Sequence, residues 1–213
     1  ASCISVNHVV CHGIPGAAIP KAKAETISKN LEKRRDDDAL QEGDILNIDV
    51  TVIVDGWFGD TSRMYVAGGK PNRKTEGLIQ VTHDALMKGI EAARPGNTFG
   101  DIGHAIQSYV ESNRMSVVRD FCGHGLGRVF HSPPNVLHYG RPGTGPVLEE
   151  GMFFTIEPMV NLGRPETHVL KDDWTAVTRD KSLSAQFEHS IGITADGCDI
   201  FTLSPAGKFH PTY

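Results

Sequence analysis

The pair Asp55-Gly56, set between two arms of alternating residues, restricts the fold of this chain more than any other feature. On the first arm Leu46, Ile48, Val50, Val52 and Val54 share one face, and Asn47, Asp49, Thr51 and Ile53 share the other. Side chains alternate along a strand, so this pattern describes a strand with a core side and a polar side. An Asp-Gly pair suits a two-residue hairpin turn, because both central positions need positive φ. That turn sets Val54 opposite Trp57, Thr51 opposite Asp60 and Asp49 opposite Ser62. Asp49 and Asp60 then become diagonal neighbours on one face, with Cβ atoms roughly 7 Å apart or less. Two carboxylates that close repel each other unless a proton or a cation sits between them. Taken alone, the pair reads equally well as two solvated residues on an edge hairpin.

The composition narrows the class. A chain of 213 residues, 39% hydrophobic and 22% charged, suits one domain or two intimately packed halves of a globular enzyme. The formal net charge is −5 and the basic residues are spread out, which argues against a nucleic-acid face. No apolar run approaches the ~20 residues of a membrane helix, and no signal-peptide pattern is present. Cys3, Cys11, Cys122 and Cys198 form no C-x-x-C pair, so they read as free thiols in a reducing compartment. Ten histidines are a generous number for this length and hint at metal or acid–base chemistry.

Along the chain, residues 2–11 alternate loosely and read as a strand that ends at Cys11-His12-Gly13-Ile14-Pro15, leaving His12 at a corner. Residues 17–40 are charged and poor in apolar surface, and read as a solvated insert or arm. A helix is expected from about Thr75 to Ala93, with Leu78, Ala85, Leu86, Ile90 and Ala93 inward and Pro95-Gly96 as the stop. Thr98 can cap the next helix, with Asp101 near its N3 position and Ile102, Ala105, Ile106, Tyr109 and Val110 on one face. In Gly123-His124-Gly125-Leu126-Gly127 three glycines allow close backbone approach around one histidine, and His131 follows seven residues later. Met152 to Val160 reads as a strand interrupted by Pro158, and it carries Glu157 within an apolar run. A carboxylate there is costly unless it is paired or holds a cation. Asp172-Asp173 turns another hairpin, Ala185 to Ile193 reads as one strand bearing Glu188, and Asp196-Gly197 leads to the last strand. The tail, residues 204–213, is polar and without a regular pattern.

Strands or their ends therefore carry Asp49, Asp60, His124, Glu157 and Glu188. Four carboxylates and one imidazole form a mostly hard-oxygen donor set, and so many acids in one pocket argue for two divalent ions. His12 and His131 remain as candidates for proton transfer and carbonyl polarisation. Spacing alone does not group these residues, since they are spread over most of the chain.

The motifs Val10-Cys11-His12-Gly13-Ile14-Pro15, Asn47-Ile48-Asp49-Val50-Thr51, Gly59-Asp60-Thr61-Ser62, Cys122-Gly123-His124-Gly125-Leu126-Gly127, Phe130-His131, Thr155-Ile156-Glu157-Pro158-Met159 and Glu188-His189 together resemble the motif set of methionine aminopeptidases of the first type. Trp174 to Thr178 and Ser182 to His189 match that type as well, and the gap from Glu157 to Glu188 is short, whereas the second type carries a long insert there. The resemblance implies the α/β (α+β) pita-bread fold: a curved antiparallel sheet flanked by helices, in two pseudo-symmetric halves. It implies hydrolysis that removes N-terminal methionine, best before a small second residue. Asp49 would chelate one divalent ion, His124 and Glu157 the other, with Asp60 and Glu188 bridging, and cobalt, manganese, iron(II) or zinc would all suit. Glu157 would carry the proton, His131 would hydrogen-bond the carbonyl oxygen, and His12 would contact the scissile amide nitrogen. Cys3, Phe130 and Trp174 would line the pocket for the thioether side chain. Asn7, Val9 and Ser184 resemble positions that hold a sodium or potassium ion.

As partners the resemblance implies nascent polypeptide N-termini and ribosome association, in a monomeric cytoplasmic enzyme that binds neither nucleic acid nor membrane. The chain is expected to form a single catalytic domain, residues 1–213, with the 17–40 insert and the 204–213 tail as appendages. In this family a helical segment and a stretch with pocket-forming aromatics precede the position of Cys3. Because the chain starts at Ala1, that wall is expected to be missing, with low solubility or activity as the result. Two alternatives stay open on the residues themselves: a proline-type dipeptidase on the same fold, and a domain that binds metal without turnover.

Overall fold

The computed structural model describes residues 1–14 and 39–211. Residues 17–38 of the charged insert and the last two residues of the tail lie outside that range. In chain order the elements are β1 (Ser2–Val6), β2 (Val9–Cys11), β3 (Ile45–Val54), β4 (Trp57–Val66), α1 (Arg73–Ala92), α2 (Phe99–Ser112), β5 (Ser116–Val117), β6 (Gly123–Gly125), β7 (Ser132–Val136), β8 (Phe153–Ile156), β9 (Met159–Asn161), β10 (Thr167–Val169), β11 (Ala176–Thr178), β12 (Ser184–Gln186), β13 (His189–Ile193) and β14 (Cys198–Ile200).

The hairpin forms as its turn chemistry demands. Asp55 and Gly56 have φ of 50° and 79°. β3 and β4 pair with Val54 opposite Trp57, Thr51 opposite Asp60 and Asp49 opposite Ser62. The division into a core face and a polar face does not hold along the whole arm. Ile45, Leu46 and Asn47 are all buried, whereas Val52, Ile53 and Val54 are all exposed. β3 is thus covered on both faces at its base and on neither at its far end.

β1 adds to the other edge of β3, with Cys3 opposite Asp49. The three strands stand in the order β1-β3-β4. Three further sheets run β10-β11-β2, β12-β9-β5 and β14-β13-β8-β6-β7, with antiparallel pairings throughout.

α1 and α2 cover the sheets from one side. Asn72 caps α1 by accepting from the backbone N–H groups of Lys74 and Thr75, and Thr98 with Asp101 forms a capping box at α2. Leu78, Ala85, Leu86, Ile90 and Ala93 all face inward, as their spacing requires, and join Ile102, Ile106 and Val110 of α2 over Phe154, Ile156 and Ile191. The tail turns back over the body. Lys208 gives its carbonyl to the Arg63 guanidinium, and the His210 ring packs edge-on against His83.

Two expected strands are divided, and both divisions matter for the site. Residues 2–11 split at Asn7-His8, where Asn7 has φ 57°, so β2 leaves β1 to pair with β11. Residues 185–193 split at Phe187-Glu188. β12 pairs with β9, Gln186 opposite Met159, and β13 pairs with β8, His189 opposite Ile156. The break at Glu188 therefore faces the break at Glu157-Pro158. Proline lacks the N–H that would continue β8. Across the gap, the Glu188 N–H turns aside and donates to the Ser62 carbonyl of β4. Both glutamates thus sit where ladder pairing is interrupted and side chains from several strands converge.

Candidate metal centre

The five residues singled out as ligands come together. Asp60 of β4, His124 of β6 and Glu188 each present a ligand atom, and the three atoms lie within 4.8 Å of one another. His124 Nε2 is 3.8 Å from Asp60 Oδ2 and 3.7 Å from Glu157 Oε1. Asp49 of β3 reaches Asp60 by a hydrogen bond between their side chains, as the diagonal register predicts.

Each side chain is held from behind. Thr51 Oγ1 donates to Asp60 Oδ1 at 3.1 Å. The Asp60 N–H donates to Ser190 Oγ, whose hydroxyl donates back to the Asp60 carbonyl. The His124 N–H donates to Thr155 Oγ1, and that hydroxyl donates to Glu157 Oε1 at 2.9 Å. Gln186 Nε2 donates to Glu157 Oε2 at 3.2 Å. Gly123 makes this possible: a Cβ there would lie 2.3 Å from the Thr155 carbonyl oxygen, so only glycine lets β6 approach β8.

The electrostatics are those of acids crowded out of water. Burial, then the charge of Asp60, pushes the Asp49 carboxyl up to about 7. Burial raises Asp60, and burial raises both Glu157 and Glu188 well above the usual carboxylate range. Burial lowers His124, so its ring is neutral near pH 7. His124 Nδ1 lies 3.1 Å from the Gly125 carbonyl oxygen. A carbonyl only accepts, so the proton sits on Nδ1 and the Nε2 lone pair faces the carboxylates. Asp49 Oδ1 and Glu188 Oε1 are buried and have no hydrogen-bond partner among the described residues. Stranded acceptors of this kind are expensive, and a divalent cation would satisfy them. The donor set fits hard or borderline metals.

The remaining candidates surround this cluster. The His131 ring lies 4.4 Å from that of His124 and 3.9 Å from that of Phe130, centroid to centroid. Phe130 stacks on Phe58 at 5.3 Å. His12, at the predicted corner with φ 62°, lies against Trp174 at 4.9 Å and against Phe121 at 5.7 Å. Burial lowers its pKa, and a ring nitrogen hydrogen-bonds the Trp174 backbone. The charges of Asp49 and Asp60 act on the half-buried Cys3 thiol, which places it beside the acids. Asn7, Val9 and Ser184 lie apart from them, with the Ser184 N–H donating to the Asn7 carbonyl and Val9 pairing with Val177.

Sequence reasoning missed Thr155, Gln186 and His138. Thr155 and Glu157 are two residues apart on one strand, so period two could have linked them. Nothing in the sequence places Gln186 or His138 near Glu157.

An antiparallel framework that buries four carboxylates and an imidazole at one point, with aromatic residues at the rim, is that of a metal-dependent peptidase. Residues 1–195 match metallopeptidase family M24, and the chain belongs to that family, with its pita-bread α+β fold and its use of divalent metal. Within it the chain is a member of the methionine aminopeptidases. It is 58% identical over 215 residues to the methionine aminopeptidase of Rickettsia prowazekii (strain Madrid E), covering 99% of this chain and 74% of that protein. It is 49% identical over 203 residues to that of Escherichia coli (strain K12), covering 94% and 69%. The crystal structure of the Rickettsia prowazekii enzyme superposes with a TM-score of 0.83 at 59% identity, covering 95% of this chain and 73% of that one.

Proposed function

We propose that this chain removes the N-terminal methionine from nascent proteins and peptides, preferring a small second residue. The observation that carries this reading is the convergence of Asp60, His124 and Glu188 within 4.8 Å, with Glu157 and Asp49 bonded or packed against them. In this reading Asp49 would hold one divalent ion and His124 and Glu157 the other, with Asp60 and Glu188 shared between them. Two such ions, whether cobalt, manganese, iron(II) or zinc, supply Lewis acidity and a nucleophile usable at neutral pH.

The chain's own groups do the rest. Burial makes the Glu157 carboxylate a stronger base than one in water, and it accepts a proton and returns it to the departing amine. The Thr155 hydroxyl and the Gln186 amide keep both its oxygens aimed during that exchange. His131 donates to the carbonyl oxygen as charge develops on it. His12, neutral at pH 7 and braced by Trp174, contacts the scissile amide nitrogen. Cys3, Phe130 and Trp174 line the site of the unbranched thioether side chain.

Residues 1–213 act in this reading as one catalytic domain, with residues 17–40 and 204–213 as appendages. Asn7, Val9 and Ser184 hold a sodium or potassium ion. The partners are nascent chains on the ribosome, and the enzyme works as a cytoplasmic monomer without nucleic acid or membrane. Among the described residues no helix is long and apolar enough to cross a membrane.

The test is hydrolysis of a Met-Ala-Ser peptide with added Mn²⁺ or Co²⁺. Release of methionine supports the proposal. Cleavage of Xaa-Pro peptides alone, or metal uptake with no cleavage of either peptide, overturns it.

A further inference from the structure

His138 belongs to no motif, yet it bonds the backbone of Glu157. Its imidazole is 0% exposed. Its Nε2 is 3.1 Å from the backbone nitrogen of Glu157. An N–H only donates, so Nε2 must carry the lone pair and the ring proton must be on Nδ1. Nδ1 is buried and has no partner among the described residues. An unmet buried donor is costly, and an apolar side chain of similar volume would avoid that cost. What an apolar side chain could not do is accept from Glu157.

Glu157 needs such an acceptor because of where it sits. Ile156 pairs with His189 and Met159 with Gln186, so the ladder passes over Glu157 and Pro158. Without His138 the Glu157 N–H would be stranded under the floor of the pocket. A third layer holds the imidazole in place. A Cβ on Gly103 of α2 would lie 2.4 Å from the Tyr139 carbonyl oxygen and 2.8 Å from that of Leu137. The helix therefore rests on the backbone of residues 137 and 139, on either side of His138.

We propose that His138 is a positioning residue for the reaction. Its ring accepts the Glu157 N–H and fixes that residue's backbone, so the carboxylate stands at one height against His124. Thr155 and Gln186 orient the two oxygens, and His138 sets the origin from which they are oriented. The inference rests on the reading of Glu157 as metal ligand and proton carrier. It concerns the main chain, which the other two partners do not control. Groups standing behind metal ligands typically contribute ~10- to 100-fold in affinity or rate.

Two measurements test it. In the unaltered, ¹⁵N-labelled protein, a scalar coupling between the Glu157 amide nitrogen and His138 Nε2 is expected, and its absence overturns the proposal even if Glu157 proves catalytic. His138→Leu and His138→Gln are then compared for Mn²⁺ affinity by calorimetry and for kcat and KM on a Met-Ala-Ser peptide. The glutamine carbonyl can reach the position of Nε2 and accept; leucine fills the space and cannot. His138→Leu should weaken the tighter Mn²⁺ site and lower kcat by about 10- to 100-fold, with KM within about twofold. His138→Gln should recover most of both losses. Equal losses in the two variants, or a leucine variant with normal affinity and kcat, would show that the ring acts only as packing. If the leucine variant does not fold, the coupling and the glutamine variant still decide: a glutamine variant that loses kcat about 10-fold or more overturns the proposal.

Discussion

Replacing Asp49 with asparagine should stabilise the metal-free protein and reduce what the protein gains from metal. In the metal-free protein the Asp49 carboxyl, ordinarily at 3.8, is pushed up to about 7, first by burial and then by the charge of Asp60. The folded state thus prefers the protonated form. Its contribution to stability is fully present below about pH 4 and is lost as pH rises through about 7. At ~1.36 kcal/mol per pH unit, the rise from 3.8 to about 7 corresponds to at most about 4 kcal/mol against folding at pH 8. An asparagine amide keeps a donor toward Asp60 and carries no charge, so that cost disappears. Metal-free Asp49→Asn should therefore unfold at a higher temperature than the parent at pH 8, by roughly 5–15 °C, and at nearly the same temperature at pH 4. With Mn²⁺ the difference should narrow. Saturating metal at about 100 times its Kd adds ~2.7 kcal/mol to the parent, and an amide oxygen is a weaker ligand than a carboxylate. The assay is thermal unfolding followed by circular dichroism, in EDTA and in Mn²⁺, at pH 4 and 8. A variant less stable than the parent in EDTA at pH 8, or one that gains as much from Mn²⁺, would refute the reasoning.

Glu157→Gln should abolish release of methionine, since an amide cannot accept the proton; a near-normal rate on a Met-Ala-Ser peptide would remove Glu157 from that role. Asp172 accepts from the N–H groups of Trp174 and Thr175, both at 3.0 Å, and from the Thr175 hydroxyl at 2.7 Å. Asp172→Ala should loosen the Trp174 loop and raise KM about fivefold, with kcat little changed. Steady-state kinetics on the same peptide separate the two constants. Gly123→Ala should cost about 1–3 kcal/mol in urea unfolding and lower activity more than stability, because the new methyl group meets Thr155 and moves both His124 and Glu157. Phe154→Ala, at a 0% exposed position against Phe99, should cost about 3–5 kcal/mol of stability in urea with metal affinity unchanged.

How much of this was legible beforehand depended on the range of each interaction. Asp55-Gly56 determined its turn, and with it the register that sets Asp49 beside Asp60, because positive φ at two successive residues is a local requirement. The cap at Thr98 and the inward faces of both helices follow from short-range sequence in the same way, whereas Asn72, which caps α1, reads as loop in the sequence. Phe187-Glu188 is different. The run from Ala185 to Ile193 alternates like one strand, and only its neighbours β9 and β8, with Pro158 between them, force it to change sheets at Glu188.

By itself, then, the sequence determined the local geometry around each candidate: a tight turn here, a glycine notch there, a carboxylate in an apolar run. The meeting of β4, β6, β8 and β12 at one point, the stranded oxygens of Asp49 and Glu188, and the ring of His138 under Glu157 were decided by tertiary structure. The physical reason is that burial and long-range pairing are properties of the assembled chain, since what desolvates a carboxylate or accepts its neighbour's N–H comes from residues far away in sequence.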